Sequence, residues 1–253
     1  YKNAWLKVYD TPVLYFPKFF HPDPTVKRQS GFLMPSFQSS SSLGTSFNSP
    51  YFYALDTNKD LTIKPRFFSS NKLLIQTEYR EINKNSLKFF DFSFFEKKGE
   101  SLKGHLFSNF KKEINFLNFD ESNLNFNFQH TSSDTYLKSN KVESPLISNQ
   151  NLMHSYFEIN SYKNNLSLNT SIHVYEDLTK LNKSDRYEYI YPDYNLLKEF
   201  DNDNNLNGKF SLNSYGYIKE FDTNINEKTI INDFVFNSNL KVLNQGFTSN
   251  YTY

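Results

Sequence analysis

Apolar and polar residues alternate along most of this chain with a period of two. Leu124, Phe126 and Phe128 are separated by asparagines, so the three apolar side chains share one face and the amides share the other. Residues 73–79 and 166–174 repeat the pattern. Such alternation is typical of β-strands that have one apolar face and one polar face. Helical periodicity is absent over any useful length, although a helical turn fits within 137–150.

These signals predict about thirteen antiparallel strands in an all-β fold. The expected strands are 31–40, 44–55, 60–68, 72–82, 86–95, 103–112, 122–131, 151–160, 165–176, 187–198, 207–219, 228–240 and 246–253, after one or two strands within 1–20. Short polar turns tend to alternate with longer links at 96–102, 132–150 and 177–186. That tendency favours a transmembrane barrel, in which the turns are short on one side and the loops are longer on the other.

Proline interrupts the regular alternation between residues 12 and 55. Pro17, Pro22 and Pro24 lie at the start of this region, where they predict a stiff linker because each X-Pro step is held extended. Pro35 and Pro50 lie within the first two strands of the later series. A proline has no N–H to donate to a neighbouring strand, so this pair predicts a place where strand pairing is weak.

Composition is compatible with a barrel wall. The chain has 253 residues and a formal charge of +1, which does not favour nucleic acid as a partner. Hydrophobic residues make up 38% of it, whereas globular domains reach about 45–50%. A wall with one polar face needs fewer apolar residues. The chain has no cysteine, which excludes disulfides and thiolate metal sites within it, and it has no apolar run of the roughly 18 residues needed for a transmembrane helix.

Signals for catalysis are weak. None of the five histidines stands in a metal-binding spacing: His21, His105, His130, His154 and His173. Residues 56–60 resemble a calcium loop only faintly, because they lack its glycine and its distant glutamate. We therefore expect no enzyme, no metal and no cofactor. The chain begins and ends within the alternating pattern, which favours an internal piece of a longer protein.

The proline-rich region resembles a junction segment of the lipopolysaccharide-assembly outer-membrane protein family LptD, also called OstA. The resemblance covers most of the chain, strongly to about residue 82 and diffusely afterwards. Weaker shared segments are 129–138 and 186–196. The residues that carry it are Pro12, Val13, Tyr15, Pro17 and Phe19, then Arg28, Ser30, Gly31, Phe32, Leu33 and Pro35, then Pro50, Tyr51 and Phe52.

The resemblance implies a domain division and a place in the cell. Residues 1–24 would be the end of a periplasmic jellyroll with its linker, and 25–253 the N-terminal half of a transmembrane β-barrel of about 26 strands. The protein would lie in the outer membrane with its N-terminal part in the periplasm. Its implied partners are lipopolysaccharide, outer-membrane lipids, an LptE-like plug lipoprotein and an LptA-like periplasmic bridge protein.

The resemblance also implies roles for named residues. Pro35 and Pro50 would form a lateral gate, through which the lipid part of lipopolysaccharide leaves between the first and last barrel strands. Pro17, Pro22 and Pro24 would form the hinge between jellyroll and barrel. Lys27 and Arg28 would either contact lipid phosphates or be solvated charges of the linker. Two alternatives remain open: another outer-membrane barrel, such as a porin or receptor, and a soluble β-rich carbohydrate-binding surface protein.

Overall fold

A computed structural model describes residues 2–18, 28–40, 43–69, 72–97, 99–181, 185–200, 207–220, 225–243 and 246–253. Almost all regular structure in these ranges is antiparallel β-sheet, which confirms the predicted all-β fold. The strands are β1 Lys2–Val8, β2 Thr11–Lys18, β3 Gly31–Phe32, β4 Ser36–Ser40, β5 Gly44–Asn48, β6 Tyr51–Ala54, β7 Lys59–Phe68, β8 Lys72–Asn83, β9 Ser86–Lys97, β10 Lys103–Glu113, β11 Glu121–Thr131, β12 Leu152–Lys163, β13 Leu166–Asp177, β14 Tyr187–Phe200, β15 Gly208–Glu220, β16 Asn226–Ser238, β17 Lys241–Val242 and β18 Thr248–Ser249. One helical turn, α1, spans Tyr136–Ser139.

The first two strands form a small sheet of their own. β1 pairs with β2 from Lys2 opposite Lys18 to Val8 opposite Thr11. Residues 9 and 10 connect them with positive φ angles of 47° and 61°. Two successive residues with positive φ are typical of the tight turns that join twisted hairpin strands.

Strands β3 to β16 form one 14-stranded sheet. From β7 onward each strand pairs with the next one in sequence, so this part is an up-and-down meander. Two-residue turns, Lys84–Asn85 and Asn164–Asn165, join β8 to β9 and β12 to β13. Asn164 has a φ of 49°, a conformation that asparagine tolerates better than most residues. Within the described ranges, β3 and β4 lie at one edge of the sheet and β16 lies at the other, where residues 251–253 bond to its last residues.

The two faces of this sheet differ from those of a water-soluble domain, because apolar side chains are exposed on one face and polar side chains are buried on the other. On β9, Phe90 and Phe92 are 37% and 39% exposed, whereas Asp91 between them is completely buried. On β11, Phe126 is exposed and Asn127 is buried. Water-soluble domains normally bury phenylalanine and expose carboxylates and amides. The apolar face of this sheet is therefore the open one, and much of the polar face is covered.

The link between β11 and β12 provides part of that cover. It contains α1, which confirms the helical turn predicted from the sequence. Its apolar side chains, Tyr136, Leu137 and Val142, are fully buried against the polar face of the sheet. We call residues 132–151 the inner segment. The sequence analysis placed this link among the longer loops of the predicted barrel and did not predict that it covers the sheet. Its apolar side chains gain more by burial than by contact with water.

Candidate functional site

The first hairpin of the large sheet is broken where Pro35 and Pro50 lie. The predicted strands 31–40 and 44–55 were wrong as continuous strands, because residues 33–35 interrupt the first and residues 49–50 the second. Gly31 and Phe32 pair with β6, and β4 pairs with β5, on either side of the gap. By contrast, β8 and β9 pair without a break over twelve residues each.

Pro50 removes a hydrogen-bond donor from the inside of this hairpin. Its carbonyl oxygen accepts a hydrogen bond from the N–H of Leu33, at 2.8 Å. In an antiparallel pair, the N–H and C=O of one residue point toward the same neighbouring strand. The donor that Pro50 lacks is therefore missing from the pairing between the first two strands of the sheet.

A third proline extends the interruption, and the sequence analysis missed it. Pro65 on β7 accepts a hydrogen bond from the N–H of Ser49 at 3.2 Å, so its own missing donor also faces the first hairpin. Pro35, Pro50 and Pro65 are spaced at equal intervals in the sequence. That regular spacing is the signal by which Pro65 could have been found. We call the region around these three prolines the seam.

Arg28 lies at the start of the large sheet, where its side chain contacts residues of the sheet. Its guanidinium forms an ion pair with the buried carboxylate of Asp60, and it lies 5.5 Å from the ring centre of Phe52. Arg80 donates from Nε to the same carboxylate at 2.7 Å. One carboxylate thus binds two guanidinium groups, which leaves the cluster one positive charge.

Of the remaining predicted residues, Pro17 lies within β2 and not in a linker. Pro22, Pro24 and Lys27 lie outside the described residues, so the predicted hinge and the second phosphate contact stay predictions.

The inner segment is tied to the polar face mainly through its backbone. Arg66 donates from Nη1 to the carbonyl of Asn140 at 2.8 Å. Gln76 donates to the carbonyl of residue 143 at 2.9 Å, and Gln129 to that of residue 146 at 2.7 Å. These donors come from β7, β8 and β11, so the segment bridges several strands of the wall.

A buried chain of hydrogen bonds lies beneath the inner segment. His105 Nε2 is 3.1 Å from Asp91 Oδ1, and its Nδ1 is 2.6 Å from Ser93 Oγ. The Ser93 oxygen is also 2.6 Å from the Tyr136 hydroxyl, while Gln76 donates to both oxygens of Asp91 at 3.0 Å. Burial raises the pKa of Tyr136 to about 12, so its hydroxyl stays protonated at neutral pH.

This hydrogen-bonded series of side chains resembles a hydrolase triad only in its residue types. A nucleophilic serine must be open to its substrate, but here the Ser93 oxygen is covered by Tyr136, and the His105 and Asp91 side chains are wholly buried. These hydrogen bonds instead hold the inner segment against the sheet. Sequence alternation places Asp91 and Ser93 on the polar face, but it does not reveal which residues they meet on β8, β10 and α1.

In the described part of the chain, no three histidine, cysteine, aspartate or glutamate side chains come close enough together to hold a metal ion. No helix in the same ranges is long and apolar enough to cross a membrane.

Comparison with known proteins gives consistent relatives. The chain is 27% identical over 184 residues to the LPS-assembly protein LptD of Pseudomonas entomophila. The aligned residues cover 70% of this chain and 19% of the relative. The chain resembles part of LptD. The LptD of Pseudoalteromonas translucida is 46% identical over 78 residues, or 31% of this chain and 10% of the relative. For the LptD of Pseudoalteromonas atlantica the identity is 29% over 136 residues, or 54% of this chain and 18% of the relative.

These matches confirm the resemblance to LptD that the sequence motifs indicated. No family model matches the chain. The chain spans about a fifth or less of the length of these LptD relatives. It therefore corresponds to a part of them, and the activity of the whole protein has to be argued separately.

Proposed function

We propose that this chain forms part of the wall of an outer-membrane β-barrel that inserts lipopolysaccharide into the outer leaflet. The similarity to LPS-assembly proteins supports the involvement of lipopolysaccharide. The reversed burial of the sheet is the structural observation that carries the proposal. Exposed phenylalanines on one face and buried carboxylates on the other suit a wall between lipid and a wet lumen.

We propose the seam as the lateral gate of this barrel. A closed barrel has no free edge, so a lipid leaves sideways only where the pairing between strands opens. The first hairpin is the edge of the sheet in the described residues, and it is held by two short stretches of pairing with a gap at Pro35 and Pro50. Pro65 weakens the pairing of the same hairpin with β7.

The remaining assignments extend the same proposal. Residues 1–24 end a periplasmic jellyroll, Pro17, Pro22 and Pro24 form its hinge, and 25–253 belong to the barrel. An LptA-like bridge protein delivers lipopolysaccharide to the jellyroll, and an LptE-like lipoprotein plugs the barrel. Lys27 and Arg28 meet lipid phosphates near the hinge. The extra positive charge of the cluster around Asp60 supports this role for Arg28.

Replacing both gate prolines tests the proposal. In the whole protein that contains this chain, Pro35→Ala together with Pro50→Ala restores two N–H donors, each worth about 0.5–1.5 kcal/mol once paired. The combined ~1–3 kcal/mol would lower the frequency of gate opening by about 5- to 150-fold. Surface lipopolysaccharide is then measured in cells whose only copy of the protein is the variant.

Pro12→Ala serves as the matched control, because Pro12 is also a strand proline but lies in the small sheet. We expect slow export with the double variant and normal export with the control. Unchanged export in the double variant would refute the gate. Release of the protein from membranes without detergent would refute the barrel as well.

A further inference from the structure

A cavity of about 430 Å³ opens on the polar face of the sheet beside the inner segment. Its volume falls within the range of small-molecule sites, about 300–1,000 Å³. Residues 145–149 of the inner segment form one rim, and strands β10 to β13 form the wall. The polar and aromatic side chains in that wall are Asn109, Asn127, Gln129, His154, Tyr156 and Tyr175.

The wall of this cavity is held in place by hydrogen bonds. Asn127 donates from Nδ2 to the carbonyl of His154 at 2.6 Å. The Gln129 amide donates to the carbonyl of Leu146 at 2.7 Å and accepts from the N–H of His154 at 2.8 Å. The two sides of the cavity are thereby fixed relative to each other, so a ligand would meet a site that is already formed.

Aromatic rings stack along one side of the cavity. The rings of His154 and Tyr175 are nearly parallel, 8° apart with centres separated by 4.3 Å, and the Tyr156 ring centre is 5.0 Å from that of His154. The Tyr175 hydroxyl has no hydrogen-bond partner among the described residues. The Asn109 amide donates over a long distance of 3.4 Å to Asn127 and is also hydrogen-bonded to Tyr156. The Tyr175 hydroxyl therefore has hydrogen-bonding capacity left for a ligand.

The charge of the lining narrows the ligand class. No lysine, arginine, aspartate or glutamate is among the residues that line this cavity in the described structure. A phosphate or a free cation would find no counter-charge there. Ring faces beside amides and hydroxyls instead suit a neutral sugar, whose C–H face packs on an aromatic ring while its hydroxyls bond to the amides.

We propose that this cavity is a binding subsite for one neutral sugar unit of an oligosaccharide. The inference rests on the proposed function, because it assigns to the polar face a contact with the sugar part of the exported lipid. It adds to that function a defined place on the wall, formed by β10–β13 and the rim 145–149, which is separate from the seam and from the cluster around Asp60.

Titration with a lipid-free oligosaccharide tests the proposal. The probe is a core oligosaccharide released from lipopolysaccharide by mild acid and then dephosphorylated, added to the whole protein in detergent micelles and followed by calorimetry. Asn109→Ala and Tyr156→Leu are each expected to weaken binding at least about fivefold, as loss of a well-packed contact does. Tyr162→Leu is the matched control, because Tyr162 has the same facing on β12 but lies toward the far end of the strand.

A second measurement does not depend on changing the wall. Asn149→Cys places a thiol on the exposed rim of the cavity, and bound oligosaccharide is expected to slow the labelling of this thiol by a maleimide several-fold. Absence of saturable binding would overturn the subsite. So would binding that is unchanged by Asn109→Ala and Tyr156→Leu, together with labelling of Asn149→Cys that bound oligosaccharide does not slow. If lipid export continues normally in that case, only the subsite is lost; if the gate test fails too, the proposed function falls with it.

Discussion

Replacing Leu137 by alanine probes how the inner segment is held. Leu137 is 1% exposed and belongs to the buried cluster that joins the segment to Phe68, Leu74, Phe95 and Phe107 of the wall. Truncating a buried leucine to alanine costs about 2–5 kcal/mol, depending on how far the cavity collapses. Because the segment is a link between two strands, we expect this loss to favour its release rather than unfolding of the sheet.

Trypsin cleavage within the segment measures that release. Lys138 and Lys141 are exposed and lie between the buried residues Leu137 and Val142. A loss of ~2–5 kcal/mol raises the released population by about 30- to 5,000-fold, and cleavage follows that population when opening is fast relative to cutting. Cleavage at both sites is quantified by mass spectrometry, and the resistance of the barrel to heat in detergent reports whether the sheet stays folded.

Leu181→Ala is the control, because Leu181 is 96% exposed and contributes no comparable burial. We expect its cleavage pattern to match that of the wild type. If Leu137→Ala leaves cleavage at Lys138 within about twofold of the wild type, burial does not hold the segment. If the barrel loses its heat resistance to the same degree, the segment is not an independent unit. Either result would refute the reasoning.

Three further predictions test the wall and its electrostatics. Burial raises the pKa of Tyr136 from 10 to about 12. The stabilising effect of the neutral Tyr136 hydroxyl is therefore complete below pH 10 and is lost toward pH 12. A profile of unfolding at alkaline pH should show this loss in the wild type but not in Tyr136→Phe. Asp60→Ala should lower the free energy of unfolding, measured by urea titration, by ~1–3 kcal/mol more than Arg28→Ala does, because it leaves two guanidinium groups without their carboxylate. Equal effects would contradict the shared ion pair. Phe126→Lys should make the free energy of folding into a bilayer less favourable by about 2–4 kcal/mol. Asn125→Lys, on the opposite face, should change it much less. Equal costs would contradict a lipid-facing Phe126.

Short-range pattern was enough to predict most strands of the meander. From β7 to β16, the predicted strand boundaries differ from those observed by a few residues at most. The reason is that alternation and polar turns are local features, and each strand here pairs with its neighbour in sequence. Weak strand pairing at Pro35 and Pro50 was also predicted from local sequence, because the loss of a donor follows from the residue itself.

Local pattern could not predict how completely proline breaks the first hairpin. Residues 31–40 and 44–55 alternate well enough to look like whole strands, yet both are interrupted at facing positions. The interruption depends on which residue lies opposite each proline. The hydrogen bonds of Leu33 to Pro50 and of Ser49 to Pro65 establish that pairing, and they became visible only in the assembled sheet.

The sequence by itself determined the class of fold, the strands and the two faces of the wall, since a period of two assigns every side chain to a face. Tertiary structure alone decided what covers the polar face and which side chains meet there. Alternation does not specify which residues of adjacent strands lie opposite each other, so the contact of Ser93 with His105 and Tyr136 could not be derived from it. The same holds for the sugar-sized cavity, whose walls come from four strands and from the link that folds back over them.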